Sequence, residues 1–319
     1  MRTKRLGRTG LEVPIVGLGA MFIGIPRDLA PGAYGASQMD EDVGVATVHA
    51  AIEAGCTLID TAPLYGKGQS ERIIARAFRE RPDLRARCIV ETKVGYLPEG
   101  FDYSYDMTMR CVEDSLKRLE VERLEVVYIH DAKGQPMEKV MGKGGTLGAL
   151  RRLQDQGVVK HIGSATNHPS TNADYIETGE FDAAVLAHAY SLLNLEAEAR
   201  TLPAAERHDV GLVIATPLER GLLAAGPVEG ASYVARKFSQ ACLDHVAQVQ
   251  ALCSRYRIPL AAAALQWCVR HPKVAATIPG ARTPEEAEAN AQAGETAVPE
   301  AFWEELRPLV RHWEQGVDR

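Results

Sequence analysis

Short runs of β-branched and other apolar residues alternate along the chain with segments whose apolar positions recur at helical spacing. The β-rich runs predict eight strands: Ile15–Gly19, Thr57–Asp60, Cys88–Lys93, Val126–His130, Val159–Gly163, Ala183–His188, Gly211–Ala215 and Val274–Ile278. Between them, Val43, Thr47, Ala50 and Ala54 share one helical face, as do Met109, Val112, Leu116 and Leu119. Repeated β-then-α order requires parallel strands, because the chain must cross back over the sheet before each new strand. Eight such units in this length predict an α/β fold, a (β/α)8 TIM barrel. A doubly wound open sheet is the alternative arrangement.

Two features lie outside bare βα repetition. Lys4–Leu6 and Leu11–Val13 flank Gly7-Arg8-Thr9-Gly10, which predicts an N-terminal β-hairpin capping the bottom of the barrel. Helical patterns over Leu243–Tyr256 and Leu260–His271 precede the eighth strand, and another over Glu300–Trp313 follows the final barrel helix; these are the expected extra C-terminal helices. No Pro/Ser-rich linker or low-complexity tract divides the chain, so residues 1–319 are expected to form one domain.

Composition narrows the function classes. The 319 residues are 46% hydrophobic and 24% charged, which excludes a disordered or collagen-like chain. With 36 basic and 42 acidic residues the net charge is −6, and no long basic run offers a nucleic-acid surface. Cys56, Cys88, Cys111, Cys242, Cys253 and Cys268 form no C-x-x-C pair, so buried thiols in a reducing compartment are expected, and no metal. MRTKRLGRTG lacks the apolar core of a signal peptide, and the most apolar stretch, Pro259 to Val269, is too short to span a bilayer. The expectation is a cytoplasmic protein without a membrane or nucleic-acid partner, a monomer or weak homo-oligomer acting on a small molecule.

The chemistry gathers at strand ends. Gly17-Leu18-Gly19 opens a dinucleotide fingerprint whose third glycine would fall at Phe22, and Ile25–Ala36, with Pro26, Pro31 and Gly32, presents no helix start to a pyrophosphate. A bound dinucleotide would need another element. Gly17–Phe22 also lacks the His-x-His of a metal-dependent barrel hydrolase. Asp60, Lys93 and His130, however, end the second, third and fourth strands, so all three face one mouth of a barrel. Strand parity agrees: Leu58 aligns with Asp60, Ile89 and Glu91 with Lys93, and Val126 and Tyr128 with His130. Tyr65, in the loop Thr61–Gly66, leans over the same opening. Taken singly, Asp60 and Lys93 equally suit a structural ion pair, Tyr65 a loop aromatic and His130 a core histidine; their joint occurrence is not expected by accident.

With these residues in place, the chain resembles the aldo-keto reductase superfamily nearly end to end. The matching stretches are LGRTGLEVPIVGLGAM, LIDTAPLYGKGQSE, ETKVG, SLKRLEVERLEVVYIHD, LQDQGVVKHIG and VAATIPGARTPEEAEANAQA. The resemblance implies a catalytic set of Asp60, Tyr65, Lys93 and His130. Tyr65 would exchange a proton with the substrate oxygen, Lys93 would lower its pKa, Asp60 would hold Lys93, and His130 would donate a hydrogen bond to that oxygen. No side chain carries hydride, so the resemblance implies NAD or NADP. It carries cofactor contacts to Gly19, Asn167, His188, Pro217, Leu218, Gly280, Arg282, Glu286 and Asn290. Here the chain departs from the family pattern. Gly163-Ser164-Ala165-Thr166-Asn167 keeps only the Asn of the usual Gly-x-Ser-Asn, after one extra residue. His188 stands where Gln is frequent, and equally suits a strand-end histidine. Ala215-Thr216-Pro217-Leu218 lacks the aromatic commonly stacked on nicotinamide.

These departures resemble the sugar (aldose 1-) dehydrogenase branch, as do the IHD of Ile129–Asp131 and the spaced Gly163…Asn167 run. That branch oxidises aldopyranoses at the anomeric carbon to lactones. The alternatives are an NADPH-dependent aldehyde or ketone reductase and a cofactor-sensing regulatory subunit, against which the intact set argues. Thr283 as N-cap, Pro284 at N1 and Glu286 at N3 predict a capping box at a helix start that would face the adenosine 2′ group, where NADP-using relatives often place a basic residue. A carboxylate there accepts ribose hydroxyls and repels a 2′-phosphate, so NAD is expected over NADP. Arg282 opposes this expectation, since it could swing toward a 2′-phosphate, but it is read as free to point to solvent. The pocket rim is expected from Met21–Ala36, Asp131–Gly145 and Glu219–Phe238, with Gly134, Gly142, Gly144, Gly145, Gly221, Gly226 and Gly230 marking lids or ordinary turns.

Overall fold

A computed structural model describes residues 1–26, 39–228 and 237–313. Its centre is a ring of eight parallel strands: β1 (Leu18–Gly19), β2 (Leu58–Asp60), β3 (Ile89–Val94), β4 (Leu124–His130), β5 (Val159–Thr166), β6 (Ala183–Ala187), β7 (Gly211–Ala215) and β8 (Val274–Ile278). Each pairs with the next, and parallel bridges from Val16 to Thr277 and from Gly19 to Gly280 bring β8 back to β1. The open doubly wound sheet is thereby excluded. The first strand is shorter than Ile15–Gly19, because only Leu18 and Gly19 run in register with β2.

Parity sets what fills the ring. Leu58, Val126, Tyr128, Ala165, Ala183, Val185, Val213, Ala276 and Ile278 form one interior cluster with Leu6 and Val13. The intervening residues pack outward against the helices, where Ile59, Val127 and Ile162 join the main core. Local signals start those helices: Asp40 accepts from Val43 N at 3.0 Å before Glu41–Glu53, and Ser104 caps Tyr105–Leu119. Five of the six cysteines are buried and Cys88 is half-buried. Among the described residues no helix is long and apolar enough to cross a membrane.

The hairpin pairs Thr3–Arg5 with Glu12–Pro14, keeping Lys4 opposite Val13 but with bounds one residue farther from the turn than expected, and delivers Leu6 and Val13 to the barrel floor. Two helices precede β8, over Gln240–Tyr256 and Leu260–Arg270. The helix expected over Glu300–Trp313 ends at Leu306, since Pro308 has no N–H to give the carbonyl of Glu304. Beyond it the chain crosses to the loop after β6, where Arg311 N and Trp313 N donate to Leu192 O and Leu193 O. A short hairpin, Tyr96–Leu97 with Gly100–Phe101, follows β3 and was not expected. Asp131–Gly145 contains a short helix, Met137–Met141. Residues 27–36 and 229–236 of the expected rim, with Pro31, Gly32 and Gly230, lie outside the described residues.

Gly7 anchors the floor. It sits at φ +48°, and a Cβ there would lie 2.1 Å from Gly211 N and 2.5 Å from Asp209 O. Gly10, at φ +71°, has open space around it. Gly7→Ala is therefore expected to destabilise the fold by about 2–4 kcal/mol, conformational strain adding to backbone collision, and Gly10→Ala by about 1–2 kcal/mol from strain alone. Denaturation midpoints of the two variants check this, and equal losses would remove the packing argument.

Candidate active site

Asp60 closes β2, Lys93 lies near the end of β3 and His130 closes β4, and their shared parity turns all three toward one mouth. Lys93 Nζ donates to Asp60 Oδ2 at 2.5 Å and to Thr61 O at 2.9 Å, with both side chains buried. Burial alone would lower the lysine, but the charges of Asp60, Tyr65 and Glu91 outweigh it and hold the ammonium above its ordinary value. Burial likewise pushes the Asp60 carboxyl up, against the pull of Lys93.

Tyr65 begins the turn Tyr65–Gly68, its N–H bonded to Ala62 O at 3.0 Å. Lys93 Nζ stands 4.9 Å from the centre of its ring, and the ring meets His130 edge-on at 6.1 Å. Burial and the Lys93 cation hold His130 well below its ordinary pKa, so the imidazole is neutral at neutral pH. The strand end beneath it is fixed by Tyr103, whose hydroxyl donates to His130 O at 2.6 Å.

Two adjoining cavities share Asp60 and Tyr65. The smaller, about 140 Å³, is lined by all four of these residues together with Leu64, Tyr96, Asn167, His188 and Arg220. The larger, about 440 Å³, runs from Asp60 and Tyr65 past Pro217, Leu218 and Arg220 to Gly280, Arg282, Glu286 and Asn290, with Gly19 on its wall. Every residue to which the resemblance assigns a catalytic or cofactor-contacting place thus lines one of the two.

The loop residues are held by identifiable bonds. Asp131, at φ +49°, receives Asn167 N at 3.3 Å and Asn167 Nδ2 at 3.4 Å, which brings Asn167 to the small cavity despite the extra residue before it. Ser164 turns away, bonding Asn172 Oδ1 at 2.8 Å. β6 stops at Ala187, one residue before the expected end, because His188 takes φ +55°; its N–H donates to Thr216 Oγ1 at 2.8 Å and its Nε2 lies 3.1 Å from Arg220.

At the far end Thr283 caps the helix Pro284–Glu295, while Glu286 Oε2 reaches back to Arg282 N at 2.8 Å, one residue beyond the usual capping-box partner. Asn290 Nδ2 donates to Gly280 O at 3.2 Å. Arg282 is not free to point to solvent. Its guanidinium lies 5.7 Å from the centre of the Phe22 ring and 3.3 Å from Pro26 O, at the cavity wall.

Sequence reasoning missed Tyr96 and Arg220. Tyr96 reaches the site only because the unexpected hairpin folds it back to within 5.5 Å of the His130 ring. Arg220 follows Pro217-Leu218 inside the expected rim, but its aim depends on φ +59° at the residue itself, which composition does not announce.

Comparison with known proteins agrees with this geometry. The model of the Aldo/keto reductase family matches residues 16–311. The chain is 32% identical to the pyridoxal 4-dehydrogenase of Microbacterium luteolum, over 95% of this chain and 96% of that protein. It is 27% identical to the D-threo-aldose 1-dehydrogenase of a Pseudomonas species, over 93% and 94%. The solved structure of aldo-keto reductase AKR11C1 from Bacillus halodurans, in its holo form, superposes with a TM-score of 0.78 at 26% identity, covering 99% of both chains. A family match over nearly the whole length and a shared barrel establish that this chain is a member of the aldo/keto reductase family, an oxidoreductase of carbonyl and alcohol groups that works with NAD(P)(H).

Proposed function

We propose that this enzyme dehydrogenates cyclic hemiacetals to lactones, with Tyr65 as the acid/base. The observation that carries the reading is the Asp60–Lys93–Tyr65–His130 cluster: a buried ammonium beside a phenol, and a neutral imidazole edge-on to it, lining one small cavity. The chain's own residues suit a nicotinamide dinucleotide. The larger cavity offers an amide at Asn290, a cation at Arg220 and a carboxylate at Glu286, and it meets the cluster at Tyr65. When bound, that group supplies or accepts the hydride. Tyr65 exchanges the proton at the substrate oxygen, Lys93 favours the phenolate, Asp60 holds Lys93, and His130 positions the oxygen. Asn167 and His188 line the small cavity beside the cluster and are suited to an amide partner.

Substrate class follows from chemistry shared by the relatives. An aldose and pyridoxal are both aldehydes with a hydroxyl placed to close on the carbonyl, giving a ring carbon that bears both O–H and C–H. Tyr65 would take the O–H proton, and loss of the ring C–H hydrogen as hydride to a group held in the larger cavity would leave a lactone with no water consumed. The small cavity, walled by Tyr96 and Leu64 and edged by Asp131, Thr166 and Arg220, fits a single polar ring. A panel of aldoses, pyridoxal and aldehydes unable to cyclise tests this: lactone is expected only from the first two classes. Equal oxidation of the third, or carbonyl reduction alone, would favour the reductase reading.

Tyr65→Phe is expected to lower turnover by about 10²- to 10⁴-fold while leaving cofactor affinity near that of the parent. His130 is neutral and Lys93 remains cationic as pH rises, so the oxidation rate should climb into the alkaline range as Tyr65 ionises. Lys93→Met removes the cation that favours the phenolate and moves this limb to higher pH. A flat profile with hydride transfer rate-limiting would contradict the role of Tyr65.

Cofactor choice is read from the helix start. Glu286, pinned to Arg282 N, places a carboxylate on the cavity wall where it can accept ribose hydroxyls and oppose a 2′-phosphate; Arg282 on the same wall acts in the other direction. We infer NAD over NADP from the fixed carboxylate. The kcat/KM ratio for the two cofactors should favour NAD in the parent and move toward NADP in Glu286→Arg; an NADP advantage in the parent would refute the inference.

A further inference from the structure

The mechanism leaves unused a buried carboxyl that points into the barrel beside the cluster. Glu91 lies on β3 two residues before Lys93, on the same inward face, and is paired in register with Asp60 across β2. It is fully buried. Tyr128, on β4 and paired in register with Lys93, donates its hydroxyl to Glu91 Oε2 at 2.8 Å. Glu91 Oε1 has no hydrogen-bond partner among the described residues. A carboxylate with one oxygen unsatisfied in an apolar interior is costly, and the neutral acid relieves that cost.

The surroundings are built for this arrangement. Gly163, next to Tyr128 on β5, is where the Tyr128 ring lies: a Cβ there would stand 2.3 Å from its Cδ1. A side chain at that position would displace the ring that reaches Glu91. The charged and titratable groups facing Glu91 are Asp60 from β2, Lys93 from β3 and Tyr128 from β4. Other interior positions, including Leu6, Val13, Leu58, Val126, Val213 and Ala276, are apolar.

We propose that Glu91 is a positioning residue for Tyr65: held by Tyr128 below the Asp60–Lys93 pair, it gains or loses a proton within the same charge cluster as the phenol, so that the two groups ionise against one another through Lys93. The inference rests on the reading of Tyr65 as the acid/base. Burial and the Asp60 charge raise Glu91 to about 8, against the opposing effects of Tyr128 and Lys93. Tyr128, raised by burial and by Glu91, stays a donor throughout. As pH climbs past this range, Glu91 becomes negative, offsets part of the Lys93 field, and delays ionisation of Tyr65. The site then moves from half-neutralised to fully engaged over a broader pH range than an isolated phenol beside a lysine would show.

Tests that need no substrate separate this from the assigned reaction. Ultraviolet tyrosinate titration, parent minus Tyr65→Phe, reads the ionisation of Tyr65 alone, and should be repeated on a Glu91→Gln background. Its midpoint is expected to fall with Glu91→Gln on the order of half a pH unit or more, and the curve to steepen. The carboxylic-acid C=O band, parent minus Glu91→Gln by infrared difference, should be present at neutral pH and vanish through about pH 8. In Tyr128→Phe, which removes the donor favouring the carboxylate, that band should persist to higher pH. An unmoved Tyr65 midpoint in folded Glu91→Gln, or no acid band at neutral pH, would overturn the proposal. Should Glu91→Gln misfold, Tyr128→Phe decides alone: its Tyr65 midpoint must also fall, and an unchanged one refutes the coupling. A failure to oxidise any hemiacetal would sink the proposed substrate class and leave these titrations standing.

Discussion

An ammonium and a carboxylate 2.5 Å apart inside a barrel filled largely with leucine, valine and alanine are the constraint to which the rest of this structure answers. Taking two such charges from water costs several kcal/mol per ion, which their mutual attraction offsets only when geometry and further hydrogen bonds are good. Parallel strands supply that geometry. Asp60 and Lys93 come from neighbouring strands in fixed register, and the Thr61 carbonyl satisfies a further donor of the ammonium. Removing either partner would leave the other uncompensated, at about 3–5 kcal/mol.

Holding a cation there determines the state of what lies around it. Burial, with the Lys93 field added to it, keeps His130 neutral, and the same field favours a negative charge on Tyr65. The second carboxyl, Glu91, belongs to this account. With Asp60 already balancing Lys93, another full negative charge has no counterpart, which is why the Asp60 charge adds to burial in raising Glu91. The interior behaves as one charge cluster rather than a set of independent side chains.

The cluster sits where two cavities of unequal size meet. The long cavity reaches from Tyr65 to the start of the helix Pro284–Glu295, while the small one ends against Tyr96, Leu64 and Arg220. Shared walls at Asp60, Tyr65, Thr216 and Arg220 bring whatever occupies one against whatever occupies the other, as hydride transfer requires. Different elements build the two: the helix start walls one end of the long cavity, and the strand-end loops shape the small one.

The sequence by itself determined the barrel and the cluster. Alternating strand and helix patterns allow few topologies, and a period of two turns Asp60, Glu91, Lys93, Tyr128 and His130 inward wherever their strands form, because both rules are local to the backbone. It also determined the cap at Thr283 and the return of Glu286 to the backbone, since capping needs only neighbouring residues. Only the tertiary structure decided the loops. His188, Thr216 and Arg220 owe their aim to left-handed backbone that non-glycine residues adopt only when packing imposes it. Tyr96 enters through a hairpin two residues long on each side, too short for a pattern, and the last helix stops at Leu306 although apolar spacing continues to Trp313. Arg282, readable as a solvent-facing side chain, is drawn onto Phe22 and Pro26 from the opposite end of the chain. Such contacts join residues far apart in sequence, and periodicity carries no information about partners that only the closed barrel brings together.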